Sequence, residues 1–134
     1  MTASGALGQL QPLVGTELGA GDWTVLSPDR IRAFADAVGP SSEVVPNLML
    51  LSLIPALTAT ITLPIESPRM AVNYGLDACR PGKQARAGER VRARATLIAV
   101  EEGGTWLQIK RQVTLENEAG EAVLQAETLA RLFW

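Results

Sequence analysis

The chain has 134 residues, 47% of them apolar and 19% charged, with a net charge of −2 and no histidine. That is one domain's length with enough apolar material for a core, which excludes a disordered chain. The charge balance argues against a nucleic-acid partner, which needs a basic excess, and the missing imidazole removes the usual neutral-pH base, metal ligand and nucleophile activator.

Residues 1–12 show no periodic pattern and read as a loose arm. Their sequence, MTASGALGQL at the start, lacks the basic end and long apolar run of a signal peptide. Residues 22–26, DWTVL, read as a short strand. A helix then begins: Ser27 can cap it, Pro28 suits the first turn, and Asp29 favours the positive end of the dipole. Ile31, Phe34, Ala35 and Val38 fall on one apolar face, and Gly39 and Pro40 end the helix.

Residues 40–46, PSSEVVP, form a linker, and Asn47 is placed to cap the next helix. Leu48 to Leu63 is nearly all apolar. It is short for a membrane span and holds Ser52, Pro55, Thr58, Thr60 and Thr62, so it reads as a buried helix with Pro55 as a kink or break. No membrane partner is expected. After Pro64 and Pro68 an extended stretch runs around Met70 to Tyr74, and residues 80–88 read as loop.

The last third alternates as strands do. Val91, Ala93, Ala95, Leu97 and Ala99 share one face, opposite Arg90, Arg92, Arg94 and Thr96. Gly103-Gly104 turns the chain, Leu107, Ile109, Val113 and Leu115 share a face, Glu118-Ala119-Gly120 turns it again, and Ala122 to Phe133 makes a last strand. Arg111 interrupts the apolar phase of its strand. Its face is therefore either half-buried or it is paired with an acid such as Glu127. The order implies one α+β domain over residues 1–134, an antiparallel sheet wrapped around a central apolar helix. The lone thiol, Cys79, allows no internal disulfide, fits a reducing, cytoplasmic setting, and reads as a bystander. No histidine, one cysteine and no clustered carboxylates leave no metal site, and no phosphate-binding glycine loop is present, so no cofactor is expected.

Three stretches carry a family resemblance: LVGTELGAGDWTVLSPDRIRAFADAVG at 13–39, NLMLLSLIPAL at 47–57, and AVNYGLDACRPGKQARAGERVRARATL at 71–97. Together they resemble the MaoC-like dehydratases and (R)-specific enoyl hydratases, which have a hotdog fold. The resemblance implies that fold and an acyl thioester substrate. It also exposes a departure. The family carries an Asp-x-x-x-x-His motif between the first helix and the core helix, and a His-Gly pair just before the core helix. Here Gly39 runs straight into PSSEVVP, and Pro46 and Asn47 stand where His-Gly would be. The hydratase dyad is absent.

Other polar residues remain as candidates. Glu43 is the one carboxylate in the shortened linker; buried, it would be an acid–base group, and otherwise it is a solvated loop residue. Asn47, with free N–H groups at the helix start, either holds a substrate carbonyl or caps the helix; Val45 lies beside it as a pocket residue. In the NYGLD stretch, the resemblance places Asn73, Tyr74 and Asp77 near the pocket; Tyr74 is either a hydrogen-bond donor or a packed strand aromatic, and Asp77 either a second acid–base candidate or a turn aspartate. Arg80, Lys83, Arg86, Arg90, Arg92 and Arg94 either meet the phosphates of a coenzyme A or carrier arm or form the wet side of a strand, and Arg80 is taken as substrate-binding. The expected activity is cyclisation, dehydration or isomerisation of a bulky acyl or polyketide-type intermediate, free or carrier-bound, in an apolar pocket. The alternatives are a non-catalytic subunit of a heteromeric enoyl-thioester hydratase and an acyl-binding protein. Exposed sheet edges imply a homodimer or a hotdog heteromer.

Overall fold

A computed structural model describes all residues, Met1 to Trp134. The elements in chain order are α1 (Ala3–Leu10), a 3-10 turn (Gln11–Leu13), β1 (Glu17–Ala20), β2 (Thr24–Val25), α2 (Pro28–Val38), α3 (Asn47–Leu57), β3 (Met70–Pro81), β4 (Arg90–Glu102), β5 (Leu107–Asn117) and β6 (Ala122–Phe133). The strands form one antiparallel sheet in the order β1-β4-β5-β6-β3, with β2 also beside β4. The α+β sheet-around-helix arrangement is as the sequence implies.

Alternation along β4, β5 and β6 aims Ala93, Ala95, Leu97, Val113, Leu115, Leu124 and Ala126 inward, all buried. Covering that face takes two helices. α3 and β5 have 11 residues each, but a helix of that length is about 16 Å long and a strand about 37 Å. α3 therefore covers one half of the sheet, packing Met49, Leu50, Ile54 and Leu57 with Val91, Val113, Leu115 and Leu124. The other half is covered by α1, whose Ala6 and Leu10 pack on Leu97, Leu107, Ile109 and Leu132.

The N-terminus is thus no loose arm. Thr2 caps α1 by accepting a hydrogen bond from the Gly5 N–H at 3.0 Å, and Ala3, Ala6, Leu7 and Leu10 lie at helical spacing against the sheet. Gly5 and Gly8 mask this stripe in the sequence, because they lower helix propensity.

Other element boundaries differ from the expected ones for local reasons. α3 runs through Pro55 and stops two residues later. The lost bond falls within a turn of the helix end, where the Thr58 hydroxyl donates back to the Ile54 carbonyl at 2.8 Å. β3 extends to Pro81, beyond the expected Tyr74. It lies at the sheet edge, where proline costs no ladder bond on the open side. Gln84 and its neighbours form the loop after β3, and Ala85 plugs the core. No helix is long and apolar enough to cross a membrane.

Gly21 sets the position of α3. A Cβ there would stand 2.0 Å from the Leu57 carbonyl oxygen, so the end of α3 lies directly on the β1–β2 connection. Gly21→Ala is expected to destabilise the fold by about 1–3 kcal/mol through overpacking, read as a lower urea midpoint.

On the outer face, the Glu116 carboxylate accepts from Arg92 at 2.8 Å and Arg94 at 3.3 Å, and Arg94 also reaches Glu17 at 2.8 Å. Burial by itself would raise the Glu116 pKa. The hydrogen bonds and charges of Arg92 and Arg94 outweigh it and hold the carboxyl below its ordinary 4.5. A depressed carboxyl contributes stability above the unfolded pKa and loses it as pH falls through the folded one. Wild type should therefore lose this contribution on acidification below about pH 4.5. Glu116→Gln should be less stable by on the order of 1–2 kcal/mol at pH 7. The gap to wild type should close toward low pH in denaturation curves recorded across that range.

Candidate functional site

An apolar opening lies between α3 and the β3 side of the sheet. It is a cleft of about 210 Å³. α3 contributes Leu51, Ile54, Pro55 and Thr58. β3 contributes Asn73, Gly75 and Leu76, β5 contributes Arg111, and β6 contributes Thr128 and Leu129. Bulges between Asn73 and Gly75 and between Leu76 and Ala78 break the β3–β6 ladder at the cleft. An apolar wall with an amide, two hydroxyls and a guanidinium is the usual composition of a small-molecule site.

Arg111 is the unusual member. Leu107, Ile109, Val113 and Leu115 on its strand face are all buried, and Arg111 stands between them at the gap between the two core clusters. Its Nε is buried and has no hydrogen-bond partner; of the two readings of this position, partial burial holds and pairing with Glu127 does not form. Burial lowers the pKa of the guanidinium. The sequence signal for this residue is its interruption of an otherwise apolar inward phase.

Of the residues expected from sequence to be catalytic or substrate-binding, Asn73 alone lines this cleft. Val45 is fully buried in the main core and so presents no surface to a substrate; its carbonyl accepts from the Gln84 amide at 3.3 Å. Glu43 is exposed, and its carboxylate accepts from the Asn47 backbone N–H at 2.8 Å. Glu43 thus does the capping expected of Asn47, because the cap position itself is Pro46 and Asn47 is already the first helical residue. The Met49 and Leu50 N–H groups reach the Pro46 carbonyl at 3.0 and 3.2 Å. The helix start where a carbonyl was expected to dock is therefore largely filled by the chain's own oxygens.

Tyr74 and Asp77 lie on the far side of the sheet from α3. The Arg131 guanidinium sits 3.5 Å from the Tyr74 ring and 4.0 Å from Trp106, and Asp77 pairs with Lys110, whose pKa that hydrogen bond raises. Arg80 lines a shallow outer hollow with Gln112, Gln125 and Glu127. Most of the basic cluster is engaged: Lys83 with Glu121 at 2.9 Å, Arg90 with Glu118 at 3.7 Å, and Arg92 and Arg94 as above. That is the wet strand side rather than an open phosphate cradle. Cys79 is exposed, and no group of acids and thiols gathers as a metal site would require.

This sheet, wrapped on α3 with β3 at its edge, overlays the MaoC-like dehydratase from Rhodospirillum rubrum with a TM-score of 0.76, at 17% identity over 92% of this chain and 95% of that one. In sequence the chain is 26% identical to 3-hydroxyacyl-thioester dehydratase Z of Mycobacterium tuberculosis, over 94% of this chain and 95% of that protein. The chain has a hotdog fold. A further likeness is to the HadBC (3R-hydroxyacyl-ACP dehydratase) complex from Mycobacterium tuberculosis, with a TM-score of 0.65, 19% identity, and coverage of 89% and 96%. No family model matches the chain. The chain shares this scaffold, and its sequence contains no histidine at all.

Glu43→Gln should lower stability by less than about 1 kcal/mol, the worth of a charged cap at an exposed helix start. The denaturant midpoint checks this.

Proposed function

We propose that this chain is an acyl-binding hotdog subunit. It joins a second hotdog chain along the free edge of β3, and the partner supplies the acid–base chemistry for a fatty-acyl or polyketide-type thioester. The observation that carries this reading is the make-up of the cleft. It has an apolar wall and four polar tips but no carboxylate and no imidazole. Dehydration of a hydroxyacyl chain needs both a base and an acid within reach of the substrate.

The edge supports the second half of the reading. β3 is twelve residues long, pairs only with β6, and leaves Met70, Val72, Tyr74 and Leu76 exposed. Leu48 on α3 is 70% exposed. A long apolar edge strand beside an uncovered helix face invites a second sheet. The match to a dehydratase complex among structural neighbours, and to a 3-hydroxyacyl-thioester dehydratase in sequence, agrees with it. A homodimer would use the same edge.

The reading as a self-sufficient cyclase, dehydratase or isomerase draws less support. Its catalytic set of Glu43, Tyr74 and Asp77 is split between the start of α3 and the outer face of the sheet, with each residue held by a neighbour.

Alone, the chain is expected to hydrate no 2-enoyl thioester, read by the enoyl absorbance. In native mass spectrometry it should pair with a hotdog chain that retains the Asp and His in preference to itself, and Val72→Lys on β3 should abolish that pairing. Turnover by the isolated chain that falls in Glu43→Gln or Asp77→Asn would sink the subunit reading and restore those residues as catalytic.

A further inference from the structure

We infer that Arg111 is the anchor for a carboxylate, so that the cleft between α3 and β3 takes an apolar organic acid with its acid end on the guanidinium. This rests on the acyl-binding reading above and adds the charge and orientation of the ligand.

The charges around the sheet are unevenly matched. Arg92, Arg94, Lys83 and Lys110 each have an acidic partner, and Arg111, which is more enclosed, has none. Its cross-strand neighbours are Leu97 on β4 and Thr128 on β6, so the sheet offers it no acid. A guanidinium taken from water without a compensating anion is unfavourable, and a bound anion would relieve that cost. It sits in a cleft with room for one, and the Thr128 hydroxyl and Asn73 amide line the same space as further donors.

The chemistry selects the anion. A carboxylate carries one charge and two coplanar oxygens, which match one guanidinium fork. A phosphate monoester carries about −1.5 to −2 and would be left half neutralised by a single cation. The rest of the wall, Leu51, Ile54 and Leu76, suits hydrocarbon. The volume of about 210 Å³ is below the roughly 300–1,000 Å³ of most ligand pockets, so it admits the end of a chain rather than a nucleotide. A chain whose only carboxyl is tied up as a thioester offers Arg111 no anion. The ligand is therefore a free acid, or an acyl thioester with a second carboxylate at its far end.

Octanoate and its neutral methyl ester are the probes, followed on the intact protein by amide chemical shifts of Asn73, Leu76 and Thr128. Octanoate should bind roughly 10- to 100-fold more tightly than the ester, the range expected for a charged hydrogen-bonded pair. Arg111→Met should erase that preference and keep ester binding. Equal affinity of the two probes for wild type, or a preference that survives Arg111→Met, overturns the inference and leaves the acyl-binding reading standing. Binding of neither probe in the cleft removes both. Loss of self-association in Arg111→Met, with octanoate excluded from wild type, would assign the guanidinium to a partner's acid and also overturn it. Should Arg111→Met not fold, the comparison of acid and ester on wild type decides alone.

Discussion

Covering the inward face of three long strands is the constraint on which this structure depends. One helix of the length of α3 reaches along only about half of an eleven-residue strand. A second helix, α1, is recruited for the remainder, and the two apolar clusters meet imperfectly. Arg111 stands between Ile109 of one cluster and Val113 of the other, and it opens into the cleft beside α3.

The same packing disposes of the conventional catalytic groups. The short linker between α2 and α3 leaves Glu43 just far enough from the helix start to fold back onto the Asn47 N–H. The carboxylate thereby occupies a donor that a substrate oxygen would need. On the opposite face, strand alternation places Lys110 and Arg131 outward, where they take up Asp77 and the Tyr74 ring. Polar groups that look available in the sequence are spent on local partners, and the one that looks misplaced is free.

β3 belongs both to the cleft and to the open edge of the sheet. Its inner side forms one wall of the opening, and its outer edge is unpaired. A second chain added along that edge would extend the sheet and close the mouth of the cleft in a single step. Binding and pairing would then be coupled, because residues such as Asn73 and Leu76 belong to both surfaces.

The sequence by itself determined the sheet strands after Arg90, since period-two alternation with glycine turns has one reading, and it determined α2 through its cap and apolar face and α3 through its apolar run. It also determined that this chain contributes no imidazole. It did not reveal α1, whose stripe is diluted by glycines, nor the full length of β3, whose proline and charges mimic a loop. Tertiary structure alone decided which polar residues share a space. Asn73 and Arg111 come from strands that are not sequence neighbours, brought together through β6, whereas Tyr74, one residue from Asn73, points the other way. The reason is that a strand reverses side at each residue and a bulge shifts that count, so membership of a site is fixed by register and not by proximity along the chain.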